Sequence, residues 1–151
     1  MATSQQRVPR LAALLGYAGL IPFVVLSAAL WLVPATNQVL INQALLLYAS
    51  LILAFMGAVH WGLAMLQADI DYQRQMVFSV IPALVAWVAL FLPEILNYSV
   101  LIIAFALLCL FDTRMSKTGR APSWYPRLRS PLTTVVVASL LVAQFQYLPF
   151  H

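Results

Sequence analysis

The sequence predicts an all-α integral membrane protein, a bundle of five transmembrane helices, and three observations predict it. Of 151 residues, 64% are hydrophobic and only 8% charged, with a mean hydropathy of +0.93. An ordinary soluble domain is about 45–50% apolar and roughly 25% charged, so a chain of this length has no soluble way to hide its apolar surface. The apolar residues form five continuous runs and not the period-two alternation of a membrane β-strand. Every Lys and Arg falls on one side of the membrane once five crossings are drawn.

The first run covers residues 11–33, preceded by Arg7 and Arg10. Its length exceeds the roughly 7–15 residues of a signal-peptide core, so it is expected to stay as a helix despite the small-residue stretch "SAA" at 27–29. Within it, "LGYAGLIPF" (15–23) supplies Gly16 and Gly19 for close helix contact and Pro22 for a kink. "VPATNQ" separates it from the second run, 39–66, which is long enough to tilt or protrude. "QADIDYQRQ" leads to the third, 76–92, which carries Pro82, and "LPEILNYS" to the fourth, 96–111; both are near the lower limit of a crossing. The long break "DTRMSKTGRAPSWYPRLRSP" (112–131) precedes the fifth, 132–148. No repeat or low-complexity segment divides the chain, which reads as one five-helix domain over 1–151.

With five crossings, the N-terminus and the second-to-third and fourth-to-fifth connections share a side. Arg7, Arg10, Arg74, Arg114, Lys117, Arg120, Arg127 and Arg129 all fall there, leaving Glu94 and His151 opposite. The positive-inside rule then puts the N-terminus in the cytoplasm, or on the matrix side in a mitochondrion, and the C-terminus outside. The net charge of +4 belongs to these short segments, which implies a lipid-headgroup surface and no nucleic-acid partner.

The residue that demands explanation is His60, in "FMGAVHWGLAM" (55–65), because hydrocarbon offers no water to its ring nitrogens. It shares a helical stripe with Leu53, Met56, Gly57, Ala64 and Gln67. The neighbouring stripe of Ser50, Ala54, Gly57, Ala64 and Ala68 is small apart from Trp61, so this face is expected to meet other helices. One reading makes His60, with Trp61, a site for a haem, metal or quinone; the other makes it an interhelical hydrogen-bonding post. His151 is on the far side, so a bis-histidine haem within the chain is excluded, and Cys109 alone cannot complete a zinc site or a disulfide. No nucleophile–base–acid set points to an enzyme. Asp69, Asp71 and Asp112 flank the basic-side helix ends; local pairs Asp71–Arg74 and Asp112–Arg114 are the simple expectation, and a His60–Asp112 proton relay the alternative. Trp124, Tyr125, Arg127 and Arg129 in "PSWYPRLR" are expected to form an interfacial anchor on anionic headgroups. Trp31 and Trp87 suit the aromatic belts.

"LGYAGLIPF", "FMGAVHWGLA", "FSVIPALVAW" and "WYPRLRSPLT" together resemble bacterial members of the domain-of-unknown-function family that includes transmembrane protein 69 of mitochondria. The resemblance covers about residues 15–134 and implies a small polytopic inner-membrane protein; it assigns no functional residues and no cofactor. Two function classes follow. The missing catalytic set and the resemblance favour an accessory or assembly factor for other inner-membrane proteins. His60, Trp61 and the kinking prolines favour a binder or carrier of a quinone, porphyrin or lipid.

Overall fold

The computed structural model describes residues 7–66, 72–119 and 121–148. Gln67, Ala68, Asp69, Asp71, Arg120 and His151, which the sequence singles out, lie outside the described residues. The helices are α1 (Arg10–Ala18), α2 (Ile21–Leu32), α3 (Ala35–Met65), α4 (Tyr72–Ala89), α5 (Glu94–Lys117) and α6 (Tyr125–Phe145), with no strand among the described residues. Together they make a five-helix membrane bundle in which α1 and α2 form one broken span. Arg10–Leu32, α3, α5 and α6 are each long and apolar enough to cross a membrane, and Gln73–Ala89 is a shorter apolar helix. The 18 residues of α4 span about 27 Å, close to the roughly 30 Å of hydrocarbon.

Proline sets most boundaries. Pro22 cannot donate to Ala18, so the first span breaks at Gly19–Leu20 and restarts with Pro22 in the first turn of α2. The carbonyl of Gly19 at the break accepts a 2.9 Å hydrogen bond from Tyr48 Oη. Pro34 and Pro93 sit at the N-caps of α3 and α5, forcing the preceding chain out of helical geometry. Gly119, at φ +74°, stops α5 in the left-handed conformation that glycine adopts without strain.

The connection over 112–131 is much shorter than the sequence suggests. Helix α5 continues to Lys117, with Arg114 and Lys117 complementing the dipole of its last turn. Helix α6 starts at Tyr125 because Pro126 occupies its first turn, where a proline costs no hydrogen bond, and Pro131 follows soon after.

Helix α3 is the central element, packing most closely on α4 and also on α2 and α5, while α6 packs on α5 and α2. The core is apolar through its middle, built on Phe23, Leu45, Leu53, Leu101, Phe105 and Leu140. Two polar layers bracket it. At one end Tyr98 Oη donates to Asn42 Oδ1 at 2.6 Å, and Gln144 bridges to Ile95 O and Ser99 Oγ. The other layer lies at the basic end.

Candidate functional site

The interior stripes place the site. Along α5 the buried positions Leu101, Phe105, Leu108, Asp112 and Met115 step by four and three, so Asp112 occupies a core position. Along α3 the same rhythm runs through Ala49, Leu53, Gly57, His60 and Ala64, and along α6 through Arg129, Leu132, Val136, Ser139 and Ala143. His60 and Asp112 are each five residues from the ends of their helices, and Arg129 is four residues into α6. At about 1.5 Å per residue all three lie roughly 6–8 Å inside the same end of the bundle, so the topology brings them to one level.

There they meet. Arg129 Nε donates to Asp112 Oδ2 at 2.7 Å, and His60 Nε2 stands 2.7 Å from Asp112 Oδ1. The three residues are 6%, 1% and 2% exposed in the order Arg129, Asp112, His60, far more enclosed than an interfacial charge cluster. The histidine approach is close but not aligned as a hydrogen bond, which leaves Nδ1 and Nε2 of His60 and Oδ1 of Asp112 without a directed partner. The imidazole stacks edge-on against Phe111, with centroids 5.1 Å apart, and Gln75 Nε2 donates to the His60 carbonyl. Arg129 Nη1 faces Met56 Sδ.

Each charge removed from water costs several kcal/mol, so the cluster is weak evidence for stability. Charges held at the interior of membrane helices mark functional sites by default. More telling are the polar atoms left over. Arg129 Nη2, Tyr125 Oη and Thr133 Oγ1 are buried without a partner.

Two apolar pockets flank the cluster. One, about 350 Å³, lies between α1, α2, α3 and α6, and its wall includes Gly16, Gly19, Phe23, Met56, Tyr125, Arg129, Thr133 and Val136. The other, about 450 Å³, lies between α4 and α5 and has His60, Phe78, Pro82 and Phe111 in its wall. Asp112 therefore joins a residue of each pocket, Arg129 in one and His60 in the other. Among the described residues no three His, Cys, Asp or Glu side chains gather as a metal site would require.

The residues singled out from sequence divide accordingly. His60 and Asp112 come together. Trp61 is 44% exposed, lines neither pocket and points off the outer face of α3. The expected Asp112–Arg114 pair does not form: residues two apart face away from each other on a helix, Arg114 is exposed, and Asp112 takes Arg129 instead. Arg74 sits over the Phe78 ring at 5.6 Å. Of the anchor segment, Arg127 is exposed, Trp124 and Tyr125 are half-buried and stacked edge to face, and Arg129 turns inward. Sequence reasoning missed the partnership of Arg129 with Asp112 and the contributions of Tyr125 and Thr133. The detectable signal was spacing, since Arg129 continues the stripe of Leu132, Val136 and Ala143 by one step.

Comparison with known proteins follows the same boundaries. The model of a family described as "Protein of unknown function (DUF3429)" matches residues 8–145. Transmembrane protein 69 of Xenopus tropicalis is 34% identical over 137 residues, covering 88% of this chain and 53% of the relative. The chain thus spans about half the length of that curated relative. No solved structure matches.

Proposed function

The chain belongs to the DUF3429 family, with transmembrane protein 69 as a relative, and from that premise we propose that it is a membrane-embedded binder of a hydrophobic small molecule, a quinone, porphyrin or lipid. The polar end of the ligand lies against the His60–Asp112–Arg129 cluster, and its apolar remainder fills the pocket between α1, α2, α3 and α6. The observation that carries this reading is the set of unpartnered polar atoms in that otherwise apolar wall. A buried polar group without a partner costs about 1–3 kcal/mol, which a ligand oxygen would recover. Pockets with a few convergent polar groups in apolar walls are the usual form of small-molecule sites. His60 and Asp112 act behind Arg129, fixing its guanidinium.

An accessory or assembly role for other inner-membrane proteins is the second reading, favoured by one observation. The first span is the least enclosed, 11% buried against 39% for the last, so it offers a broad apolar face to a partner. Lipid satisfies such a face equally well, which is why the pocket carries more weight. In either case we place the protein in a bacterial inner membrane, N-terminus cytoplasmic and C-terminus periplasmic. Native mass spectrometry of gently solubilised protein separates the readings. A hydrophobic small molecule that stays bound, and is lost when Asp112 and Arg129 are together replaced by leucine, supports the binder. Retained protein subunits with no small molecule would replace it by the assembly role.

A further inference from the structure

Resting on that binding site, we propose that its ligand is a single-chain lipid anion, an acyl chain bearing a carboxylate or phosphate head, drawn from the leaflet at the basic end. Donor chemistry comes first. Arg129 Nη2 can only donate, and the hydroxyls of Tyr125 and Thr133 can donate as well. Among the described residues the carboxylate at hand is Asp112, whose Oδ2 is taken by Arg129 Nε and whose Oδ1 faces His60. The head that fits must therefore bring acceptor oxygens. Nη2 carries two hydrogens, one on the edge it shares with Nε and one on the outer edge beside Nη1, so Arg129 can hold Asp112 at Nε and a ligand oxygen at the outer Nη2 hydrogen. Among the described residues no acidic side chain lines this pocket, so an anionic head meets the Arg129 guanidinium in its wall, with Asp112 behind it.

Depth comes second. The pocket reaches from Tyr125, the first residue of α6, to Val136, eleven residues further. That is about 16 Å along the helix, or half of a hydrocarbon core of roughly 30 Å. Tyr125 and Arg129 sit in the outer part of this interval, Thr133 lies eight residues in, and the rest of the wall toward the bilayer centre is apolar. A lipid in the basic-side leaflet is arranged the same way, head outward and tail inward. Gly16 and Gly19 thin the wall on the α1 side, where an added Cβ on Gly16 would already stand 2.8 Å from Leu132 Cδ1. A volume of about 350 Å³ has room for the inserted part of one acyl chain.

The test uses the full chain in phosphatidylcholine nanodiscs with palmitic acid carrying a photoreactive diazirine on its tail. Saturable cross-links are expected at wall residues such as Leu20, Phe23 and Val136. Palmitate or lysophosphatidate should displace the probe, the stronger of the two naming the head as carboxylate or phosphate, whereas methyl palmitate should not. Tyr125→Phe and Thr133→Val should each weaken probe binding about tenfold, the loss of one hydrogen bond to a charged group. Their melting temperatures should hold or rise, since each removes an unpartnered buried hydroxyl. Equal displacement by methyl palmitate or by a decyl-tailed benzoquinone would overturn the lipid anion and leave the hydrophobic binding site standing. Absence of saturable labelling by the palmitic acid probe, and by diazirine versions of methyl palmitate and the benzoquinone as well, would overturn both.

Discussion

Arg129 Nε and Asp112 Oδ2, 2.7 Å apart, tie the first turns of α6 to the last turns of α5 inside an otherwise apolar bundle. Breaking one member leaves the other buried and unpaired, a loss of about 3–5 kcal/mol. Asp112→Leu and Arg129→Leu should each lower thermal stability strongly in detergent. The double variant should regain most of it, because two apolar side chains fill the space without a stranded charge. If it also keeps the bound small molecule, the pair is structural and the proposed site is wrong.

His60 acts on Asp112 from the opposite side. Glutamine keeps a donor within reach of Oδ1, so His60→Gln should preserve both stability and ligand retention. His60→Leu removes it; interhelical hydrogen bonds in membranes average about 0.6 kcal/mol and reach at most about 1.7, and a misaligned contact is worth no more. The Leu variant should therefore melt a few degrees lower without unfolding, and hold ligand less well as Asp112 and Arg129 lose their setting. A His60→Gln variant that is stable yet empty would show that the imidazole itself touches the ligand.

The bundle was legible because lipid leaves a coarse mark: long apolar runs, prolines between them and basic residues on one side. Those cues sufficed to place His60 and Asp112 near one membrane face. They could not show Arg129 inside, because "PRLRSP" carries two prolines and two arginines and so reads as a surface loop. In the folded chain Pro126 falls where a helix tolerates it, and the alternation of Arg127 outward with Arg129 inward is a consequence of that helix. The unpartnered atoms of Tyr125 and Thr133 depend on how three helices converge, a relation that spacing along one helix does not contain. Trp61 misled for a related reason: adjacency to His60 in sequence puts it about 100° around α3, facing outward.

Orientation gives a third test. A C-terminal alkaline phosphatase fusion, expressed in a Gram-negative host, should be active, and a C-terminal fluorescent-protein fusion dark. The expectation rests on every Lys and Arg lying at the N-terminal end of an odd number of crossings. A bright fluorescent fusion with inactive phosphatase would reverse the orientation, and with it the leaflet from which a ligand could enter.

The last prediction concerns two glycines five residues apart on α3. A Cβ on Gly57 would stand 2.6 Å from the carbonyl oxygen of Ser79 and 3.1 Å from Pro82 Cβ and Cγ. Neither can yield by a rotamer change, since one is backbone and the other a proline ring, so α4 would have to move off α3. Overpacking of this kind typically costs about 1–3 kcal/mol. Gly62 faces the other way, with nothing within 4 Å of its added Cβ, and alanine there should be neutral or raise stability by up to about 1 kcal/mol through helix propensity. Melting curves in detergent should thus separate, Gly57→Ala falling while Gly62→Ala holds or rises. An unchanged Gly57→Ala would mean that α3 and α4 do not meet at this glycine. Loss of activity or assembly in membranes from Gly62→Ala, with stability intact in detergent, would reveal a protein partner on that outer face and strengthen the assembly role over the binder.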